Sequence, residues 1–304
     1  MRRFLPLPLP FLVLFVPLLL LGSPAHADLI LLCGMDEVFV IAPEATASEK
    51  LEKRWSWRAR DQKTLPAALV KAFGTTDDCK PIRDGRQILI TSSGGGCALV
   101  DYPSGAVRWS ARVPNAHSIE LLPADRVVVA SSTNAAGNRL VLFDLSRSEE
   151  PIGSTPLLSA HGVVWDADRD SLWAIGLNEL RRYRLDAWDS KTPSLKQEQT
   201  WPLPDEGGHD LQPVPGTADL VVTSHKTVSL FNRDTREFRP HPELKDRPHV
   251  KAVAIHPASG KTFFIQAGEE QWWSASLQSL TPPTTTDVPG ERLYKVRWLP
   301  AAKE

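Results

Sequence analysis

The chain has 304 residues, of which 42% are hydrophobic and 23% are charged, which is enough for one large all-β domain or two ordinary domains. Its formal net charge at pH 7 is −1, and lysine and arginine are scattered along it rather than clustered. A nucleic-acid-binding surface needs concentrated positive charge, so the composition argues against that class of protein.

The first 27 residues are predicted to be a secretory signal. Met1–Arg3 is basic, a Leu/Phe/Pro-rich run extends to Leu21, and Ala25–Ala27 supplies the small residues of a cleavage site. An uncleaved membrane anchor is the alternative, but the apolar run is shorter than about 20 residues and contains prolines. We therefore expect one mature domain over residues 28–304 that is periplasmic or secreted, with no stable membrane insertion after cleavage.

Six copies of one unit follow along the chain. Short alternating apolar runs separated by turn residues are typical of antiparallel strands. The units open with DCKPIRD at Asp78, HSIELLP at His117, HGVVWDA at His161, HDLQPVP at His209, KAVAIHP at Lys251 and YKVRWLP at Tyr294. These openings lie 39–48 residues apart. The best-known propeller repeats are roughly 40–45 residues long, so the spacing predicts four short strands per blade.

Five of the openings are followed by a second apolar run, and the sixth reaches the C-terminus first. The runs are Ile88–Ser92, Val127–Ser131, Ser171–Ile175, Leu220–Thr223 and Lys261–Ile265. Three strand-like runs at the other end have no opening strand, namely Asp28–Cys33, Glu37–Ala42 and Lys53–Arg58. We predict that Tyr294–Leu299 completes this N-terminal blade. The fold is then an all-β, six-bladed β-propeller closed by both termini, which removes unpaired strand edges.

Two segments between the strands have a distinctive composition. One helix is predicted over Leu65–Phe73, with Thr64 as its N-cap, Pro66 near its first turn and Gly74 at its end. The Pro/Thr-rich segment Pro282–Thr286 is predicted to be a surface loop.

The mature chain keeps three cysteines, Cys33, Cys79 and Cys97. In an oxidising compartment an odd number leaves at least one free thiol or an intermolecular bond. Cys33 and Cys79 fall on neighbouring blades, so a disulfide between them is one alternative.

The candidate site lies at one mouth of the central channel. The first strand of each blade lines the channel of a propeller, so its opening residues are expected to meet in a ring. The expected ring is Asp78, His117, His161, His209, Lys251 and Tyr294. Loops on the same face add the candidate substrate-binding residues Asp36, Ser92, Asn134, Asn178, His225 and Gln266. The opposite face carries ordinary turns such as Pro123–Asp125, so the polar face is expected to be the binding face.

The three ring histidines are candidate ligands of a divalent metal such as Zn²⁺ or Mn²⁺, with an open position for water or substrate. Asp78 is a candidate fourth ligand, or an acceptor that fixes an imidazole tautomer. Lys251 is a candidate base or carboxylate anchor, and Tyr294 a candidate proton donor. The alternatives are histidines that cap their blades, a solvated channel lysine and a packing tyrosine. Trp272 and Trp273 form either a sugar-stacking platform or part of the packing.

The mature chain resembles the secreted bacterial β-propellers of the WD40-like or surface-antigen type, and most closely an uncharacterised bacterial family of that kind. The likeness extends from DLILLCG through DDCKP, SSGGG, AHSIELLP, AHGVVWD, GGHDLQPVP and HVKAVAIHP to LYKVRWLP. The channel-mouth histidines are also similar in arrangement to those of oligogalacturonate lyase, a seven-bladed propeller enzyme that holds manganese through histidines. This chain has six units and no His-x-His pair. That enzyme removes a proton next to a uronate carboxylate, and the two departures leave both its metal and its substrate open for this chain.

Two functions follow from these residues. The first is a metal-dependent lyase acting on a carbohydrate or a related small polar molecule, with His117, His161, His209 and Asp78 at the metal and Lys251 and Tyr294 handling protons or an anionic group. The second is a monomeric, non-enzymatic propeller that binds a glycan, a peptide or a partner protein on the same face.

Overall fold

The computed structural model describes Met1 and residues 29–43, 52–147 and 149–301. The predicted signal and its cleavage site therefore lie outside the described residues, apart from Met1. Within the described ranges, no helix is long and apolar enough to cross a membrane.

The described residues form six four-stranded antiparallel sheets arranged as a six-bladed β-propeller. The first three strands of the chain are β1 (Leu29–Gly34), β2 (Glu37–Ile41) and β3 (Lys53–Trp57). Blade 2 contains β4 (Thr76–Ile82), β5 (Gln87–Ser92), β6 (Gly96–Asp101) and β7 (Val107–Arg112). Blade 3 contains β8 (Ala116–Leu122), β9 (Arg126–Ser131), β10 (Arg139–Asp144) and β11 (Gly153–Pro156).

The remaining blades repeat this order. Blade 4 contains β12 (Val163–Asp166), β13 (Ser171–Ile175), β14 (Glu179–Asp186) and β15 (Ser194–Pro202). Blade 5 contains β16 (Asp210–Pro213), β17 (Asp219–Thr223), β18 (Val228–Asn232) and β19 (Glu237–Pro240). Blade 6 contains β20 (Val250–Ile255), β21 (Thr262–Gln266), β22 (Ser276–Leu280) and β23 (Pro283–Asp287). The last strand is β24 (Lys295–Leu299).

Both ends of the chain build blade 1, as predicted. Its strand order is β24-β1-β2-β3, with β24 innermost, and Leu31 lies opposite Arg297 across the β1–β24 pair. The C-terminal strand thus supplies the inner edge that the N-terminal strands lack. This closure leaves no blade without an inner strand.

The core of the described residues consists of six apolar clusters, each between two neighbouring blades. The second strand of a blade is covered on both faces, which explains continuous apolar runs such as LVV in β17 and its full burial. The outermost strands alternate instead, as in β7, where Trp109 points inward and its neighbours are more exposed. Polar residues on these outer edges limit edge-to-edge association.

The helix is shorter than predicted. An α-helix, α1, spans Ala67–Val70 and continues as one 3₁₀ turn over Lys71–Phe73. Its N-cap is Pro66 rather than Thr64 and makes no side-chain capping bond. The residues before it are already used by another turn, because the Leu65 N–H donates to the Gln62 carbonyl. The helix therefore starts two residues later than its composition indicates.

The segment predicted as a loop at Pro282–Thr286 is largely strand β23, so that prediction was wrong. A proline cannot donate a ladder hydrogen bond, but it is tolerated at the first residue of an edge strand. Pro283 occupies that position, and the β-branched threonines behind it suit the extended backbone.

Cys33 and Cys79 lie together in the cluster between blades 1 and 2, and Cys97 lies in the next cluster. All three are buried free thiols. Burial and the neighbouring Cys33 thiol raise the pKa of Cys79 well above its ordinary value.

Candidate functional site

The innermost strands of three blades each contain a β-bulge, and the three bulges lie at the same level along the channel. In each of β4, β8 and β20 the ladder with the second strand skips one residue, and the skipped residues are Asp77, His117 and Lys251. A bulge leaves its extra residue unpaired and redirects that side chain. His161, His209 and Tyr294 stand just before β12, β16 and β24. Each blade thus presents one side chain at the same channel mouth.

We call these six residues the mouth ring: Asp77, His117, His161, His209, Lys251 and Tyr294. All six line one cavity of about 370 Å³, the mouth pocket. Ser93, Asn115 and Trp272 complete its wall. Trp272 is 41% exposed and its ring lies 5.5 Å from that of Tyr294, so an indole stands at the pocket edge.

The carboxylate of the ring is Asp77 and not Asp78. Asp78 is paired in the ladder opposite Thr91, and its side chain points down the channel, where it accepts hydrogen bonds from Ser118 Oγ (2.6 Å) and Arg297 Nη2 (2.8 Å). The bulge at Asp77 moves the register by one residue, which explains the difference. Asp78 does not line the mouth pocket, and Asp77 takes its place there.

The loop residues expected to bind substrate do not line the pocket either. Ser92 is buried and donates to the Thr75 carbonyl, and the neighbouring Ser93 faces the pocket instead. Asn134 accepts from the Ala136 N–H within its own turn, and Gln266 donates to the Pro248 carbonyl.

The other three loop residues lie at the surface. Asp36 pairs with the exposed Arg60, and Asn178 is exposed. His225 is also exposed, with its ring centroid 4.9 Å from that of His209. Of the six loop residues, His225 alone touches the mouth ring through a side-chain ring contact among the described residues.

Hydrogen bonds to backbone carbonyls orient two of the ring imidazoles. His117 Nδ1 lies 3.1 Å from the Asn115 carbonyl oxygen, and His161 Nδ1 lies 2.8 Å from that of Ser159. A carbonyl only accepts, so each Nδ1 carries a proton and donates. The Nε2 atom of each of these two rings is then left to face the mouth pocket. There His117 Nε2 lies 3.6 Å from Asp77 Oδ1.

Lys251 and His209 form the central pair of the pocket. Lys251 Nζ donates to His209 Nε2 at 3.0 Å, so this imidazole is neutral and its proton is on Nδ1. Burial, reinforced by the charge of Lys251, lowers the pKa of His209 well below its ordinary value. Burial, with repulsion from Lys295, lowers the pKa of Lys251 to about 8. The ammonium is still the main form at pH 7.

The other ring groups are also shifted by burial. Burial lowers the pKa of His161 well below its ordinary value, with a smaller contribution from His117. Burial raises the pKa of Asp77, although His117 opposes the change. Burial raises the pKa of Tyr294 well above its ordinary value, so its hydroxyl is protonated and can donate.

A layer of ion pairs lies directly below the mouth ring. Lys295 Nζ donates to the carbonyls of His209 and Lys251, both at 2.7 Å, and lies 3.4 Å from Asp210 Oδ1. Arg297 then bridges Asp210 and Asp78 through bonds of 2.8 Å. Burial alone would raise the pKa of Asp210, but Arg297 and Lys295 lower it to about 2. The positive and negative charges of this layer are paired with one another. The ammonium of Lys251 therefore has no carboxylate partner among the described residues.

The predicted metal site can be set against this geometry. Ring centroids of His117 and His161 are 4.3 Å apart, and those of His161 and His209 are 5.8 Å apart. Within the described residues, no group of three or more His, Cys, Asp or Glu side chains is arranged to hold a metal ion. His209 Nε2 is engaged by Lys251, so this atom would have to release the ammonium before it could ligate. The metal site stays a prediction.

The fold and the pocket define a six-bladed β-propeller with a polar site at one channel mouth. The family model described as "Family of unknown function (DUF6528)" matches residues 37–302, which include the whole mouth ring. The chain belongs to this family. No curated protein matches the chain. The narrower resemblances, to WD40-like propellers and to oligogalacturonate lyase, remain interpretations of the sequence.

Sequence reasoning missed Asp77 and Asn115 and chose Ser92 where Ser93 lines the pocket. Asp77 and Ser93 each adjoin a residue that was chosen, so the error is one position of register. Asn115 lies two residues before His117, and its backbone carbonyl orients the His117 ring. Because any residue has such a carbonyl, the sequence does not mark this position. Of the tryptophan pair named as a possible stacking platform, Trp272 lines the pocket and Trp273 does not.

Proposed function

We propose that this protein binds a small, polar molecule bearing a carboxylate in the mouth pocket. The observation that supports the proposal most is the buried ammonium of Lys251, whose hydrogen bond goes to a neutral imidazole and not to a carboxylate. A buried charge without a counter-charge is costly, and an incoming carboxylate would relieve that cost. The carboxylate of the ligand would thus supply the negative charge that Lys251 does not receive from any described residue.

The rest of the pocket suits the uncharged part of such a ligand. The neutral imidazole of His161 and the hydroxyl of Tyr294 offer an acceptor and a donor for ligand hydroxyls. Trp272 offers an exposed ring face at the edge. The volume, about 370 Å³, falls within the range of small-molecule pockets, roughly 300–1,000 Å³. An acidic monosaccharide has the carboxylate, the hydroxyls and the size that this pocket can accommodate.

Isothermal titration with D-galacturonate and D-galactose tests the proposal, because the two sugars differ only in the carboxylate. We expect the acid to bind more tightly than the neutral sugar. Lys251→Met should lower the affinity for the acid by about ten-fold or more, since a hydrogen bond to a charged group contributes roughly 1.5–3 kcal/mol. Lys226→Met removes an exposed lysine on the same face, outside the pocket, and should leave the affinity unchanged. Displacement of the bound acid by an equal concentration of D-galactose, or an acid affinity that Lys251→Met leaves unaltered, contradicts the proposal.

A metal-dependent lyase is the second candidate. It is favoured by the Nδ1 bonds of His117 and His161, because metal-binding imidazoles are commonly oriented in this way, with Nε2 presented to the ion. It ranks second because the ammonium of Lys251 repels a cation and holds His209 Nε2. A lyase would release unsaturated products from polygalacturonate, which absorb in the ultraviolet.

Titration with Zn²⁺ and Mn²⁺ tests this candidate on alanine variants of five histidines. If His117, His161 and His209 share a metal, each of these variants should lose most of the affinity, while His249→Ala and His256→Ala should not. Affinity should also fall on acidification, since only neutral imidazole ligates, and the fall should extend well below about pH 6.5 because burial lowers the pKa of His161 and His209. Equal affinities in all five variants, or no binding by the parent protein, would reject the metal site.

We also propose that the protein is exported and cleaved after Ala27. The support is the order of basic, apolar and small residues over 1–27. N-terminal sequencing of the protein from the periplasmic or culture fraction tests this, and an intact Met1 in the cytoplasmic fraction contradicts it.

A further inference from the structure

The opposite mouth of the channel opens into a second cavity, of about 390 Å³. We call it the far pocket. Three residues beyond the mouth ring, each inner strand presents another side chain to the channel, and these six form its floor. They are Lys80, Glu120, Val164, Gln212, Ala254 and Arg297. The far pocket is therefore also built from all six blades.

The charges on this floor are compensated from within the protein. Lys80 Nζ donates to Glu120 Oε2 at 3.0 Å, and Arg297 is bound by Asp78 and Asp210. The adjacent Lys295 lies 3.4 Å from Asp210, which brings the cluster to three cations and three carboxylates. Unlike the mouth pocket, the far pocket presents no unpaired charge among the described residues. A neutral ligand fits it better than an ion.

Two residues that line the far pocket each carry a buried nitrogen donor without an acceptor. Gln212 Nε2 and Arg297 Nε are both buried and have no hydrogen-bond partner among the described residues. Leaving a buried donor unsatisfied costs about 1–3 kcal/mol, so such atoms point to an acceptor supplied from outside the chain. Both are N–H groups, and the ligand must therefore bring oxygen or nitrogen acceptors.

The wall of the far pocket carries two indoles. Trp165 and Trp298 are half-buried there, and the rim carries prolines. The indole of Trp298 is held by a bond from Nε1 to the Ala254 carbonyl and by contact with the ring of Phe263, at a centroid distance of 5.4 Å. Both indoles provide flat apolar faces for a ring-shaped ligand, and that of Trp298 is held in place.

We propose that the far pocket is a separate binding site for a neutral sugar of hexose size. A hexose has apolar C–H faces that stack on indoles and hydroxyl oxygens that accept from Gln212. It carries no charge to disturb the compensated floor. This site differs from the mouth pocket in its ligand, because the mouth pocket is assigned an anion, and neither proposal depends on the other.

Saturation-transfer NMR and calorimetry with D-glucose, D-galactose and D-mannose test the second site. We expect the parent protein to bind at least one of these sugars saturably. Gln212→Met keeps the side-chain length and removes the amide, so it should lower that affinity by about ten-fold. The ligand-free variant should melt no lower than the parent, since an unpartnered buried amide has been removed. Gln197→Met, in exposed β15, is the matched control and should bind like the parent.

Two results would overturn the proposal. One is the absence of binding for all three hexoses, or an unchanged affinity in Gln212→Met. The other is displacement of the bound hexose by saturating D-galacturonate, which would put both sugars in the mouth pocket. Loss of acid binding in Lys251→Met with hexose binding retained would support two independent sites.

Discussion

The hydrogen bond between Lys251 and His209 determines the state of both side chains. His209 can accept from an ammonium only when Nε2 carries no proton, so the buried imidazole is neutral. Lys251 in turn keeps a positive charge in a buried position, and its pKa falls to about 8 for that reason. In the proposed site this pair would anchor an anion, and the positive charge of Lys251 is sensitive to pH in the mildly alkaline range.

Binding of D-galacturonate should accordingly depend on the proton of Lys251. Below pH 8 the ammonium is present and affinity is highest, and as the pH rises through about 8 the proton is lost and affinity falls. A bound carboxylate favours the ammonium, so the midpoint in the complex lies above that of the free protein. Titrations between pH 6.5 and 10, restricted to the folded range by circular dichroism, measure this. An affinity that stays flat or rises through pH 8 would show that Lys251 is not the anchor.

At the scale of elements, β-bulges create the site from a regular repeat. In β20 the ladder pairs Val250 with Gln266 and Ala252 with Ile265, which leaves Lys251 outside it. Because side chains alternate along a strand, one extra residue changes what faces the channel without moving the rest of the blade.

Deleting Lys251 therefore tests the bulge itself. The deletion joins two residues that already pair in register, so the variant should unfold cooperatively near the parent's melting temperature and lose acid binding as Lys251→Met does. Deleting Val253 is the control, because it pairs with Phe264 inside the ladder and its loss turns part of the strand over. We expect that control to be strongly destabilised. Similar melting curves for both deletions would contradict the assignment of Lys251 to a bulge.

The whole molecule depends on its C-terminal strand in two ways. β24 supplies the inner edge of blade 1, and it also carries Lys295 and Arg297 into the channel. Removing one partner of a buried ion pair costs about 3–5 kcal/mol, so Asp78 and Asp210 would become destabilising without Arg297. Closure of the ring and charge balance in the channel thus rest on one short segment.

Deletion of Leu293–Glu304 should replace cooperative unfolding with aggregation. The open edge of β1 would be free to pair with other chains, and two buried carboxylates would lose their cation. Scanning calorimetry and light scattering provide the measurement. A synthetic peptide covering residues 293–301 should restore part of the transition when added. An unchanged melting transition after the deletion would refute the closure.

The fold could be predicted from the sequence because each blade repeats the same pattern of strands and turn residues. Alternation and turn residues placed strands such as β13 at their observed bounds, and the leftover runs at the two ends predicted the closure. The ring was predicted except at one place, where Asp77 and Asp78 are chemically identical and a bulge has no signature in composition. The loop residues could not be placed, since side chains such as Asn134 satisfy their own turns. The far pocket was missed because its floor lies inside the strands, in positions occupied by ordinary alternating residues.

Histidine side-chain NMR during titration with D-galacturonate tests the mouth ring most directly. The imidazole resonances of each histidine can be assigned from single substitutions and followed in one experiment. We expect those of His117, His161 and His209 to shift together with a single dissociation constant, while those of His241, His249 and His256, which do not line the mouth pocket, stay in place. Shifts confined to histidines outside the ring, or no shift at saturating sugar, would contradict the account.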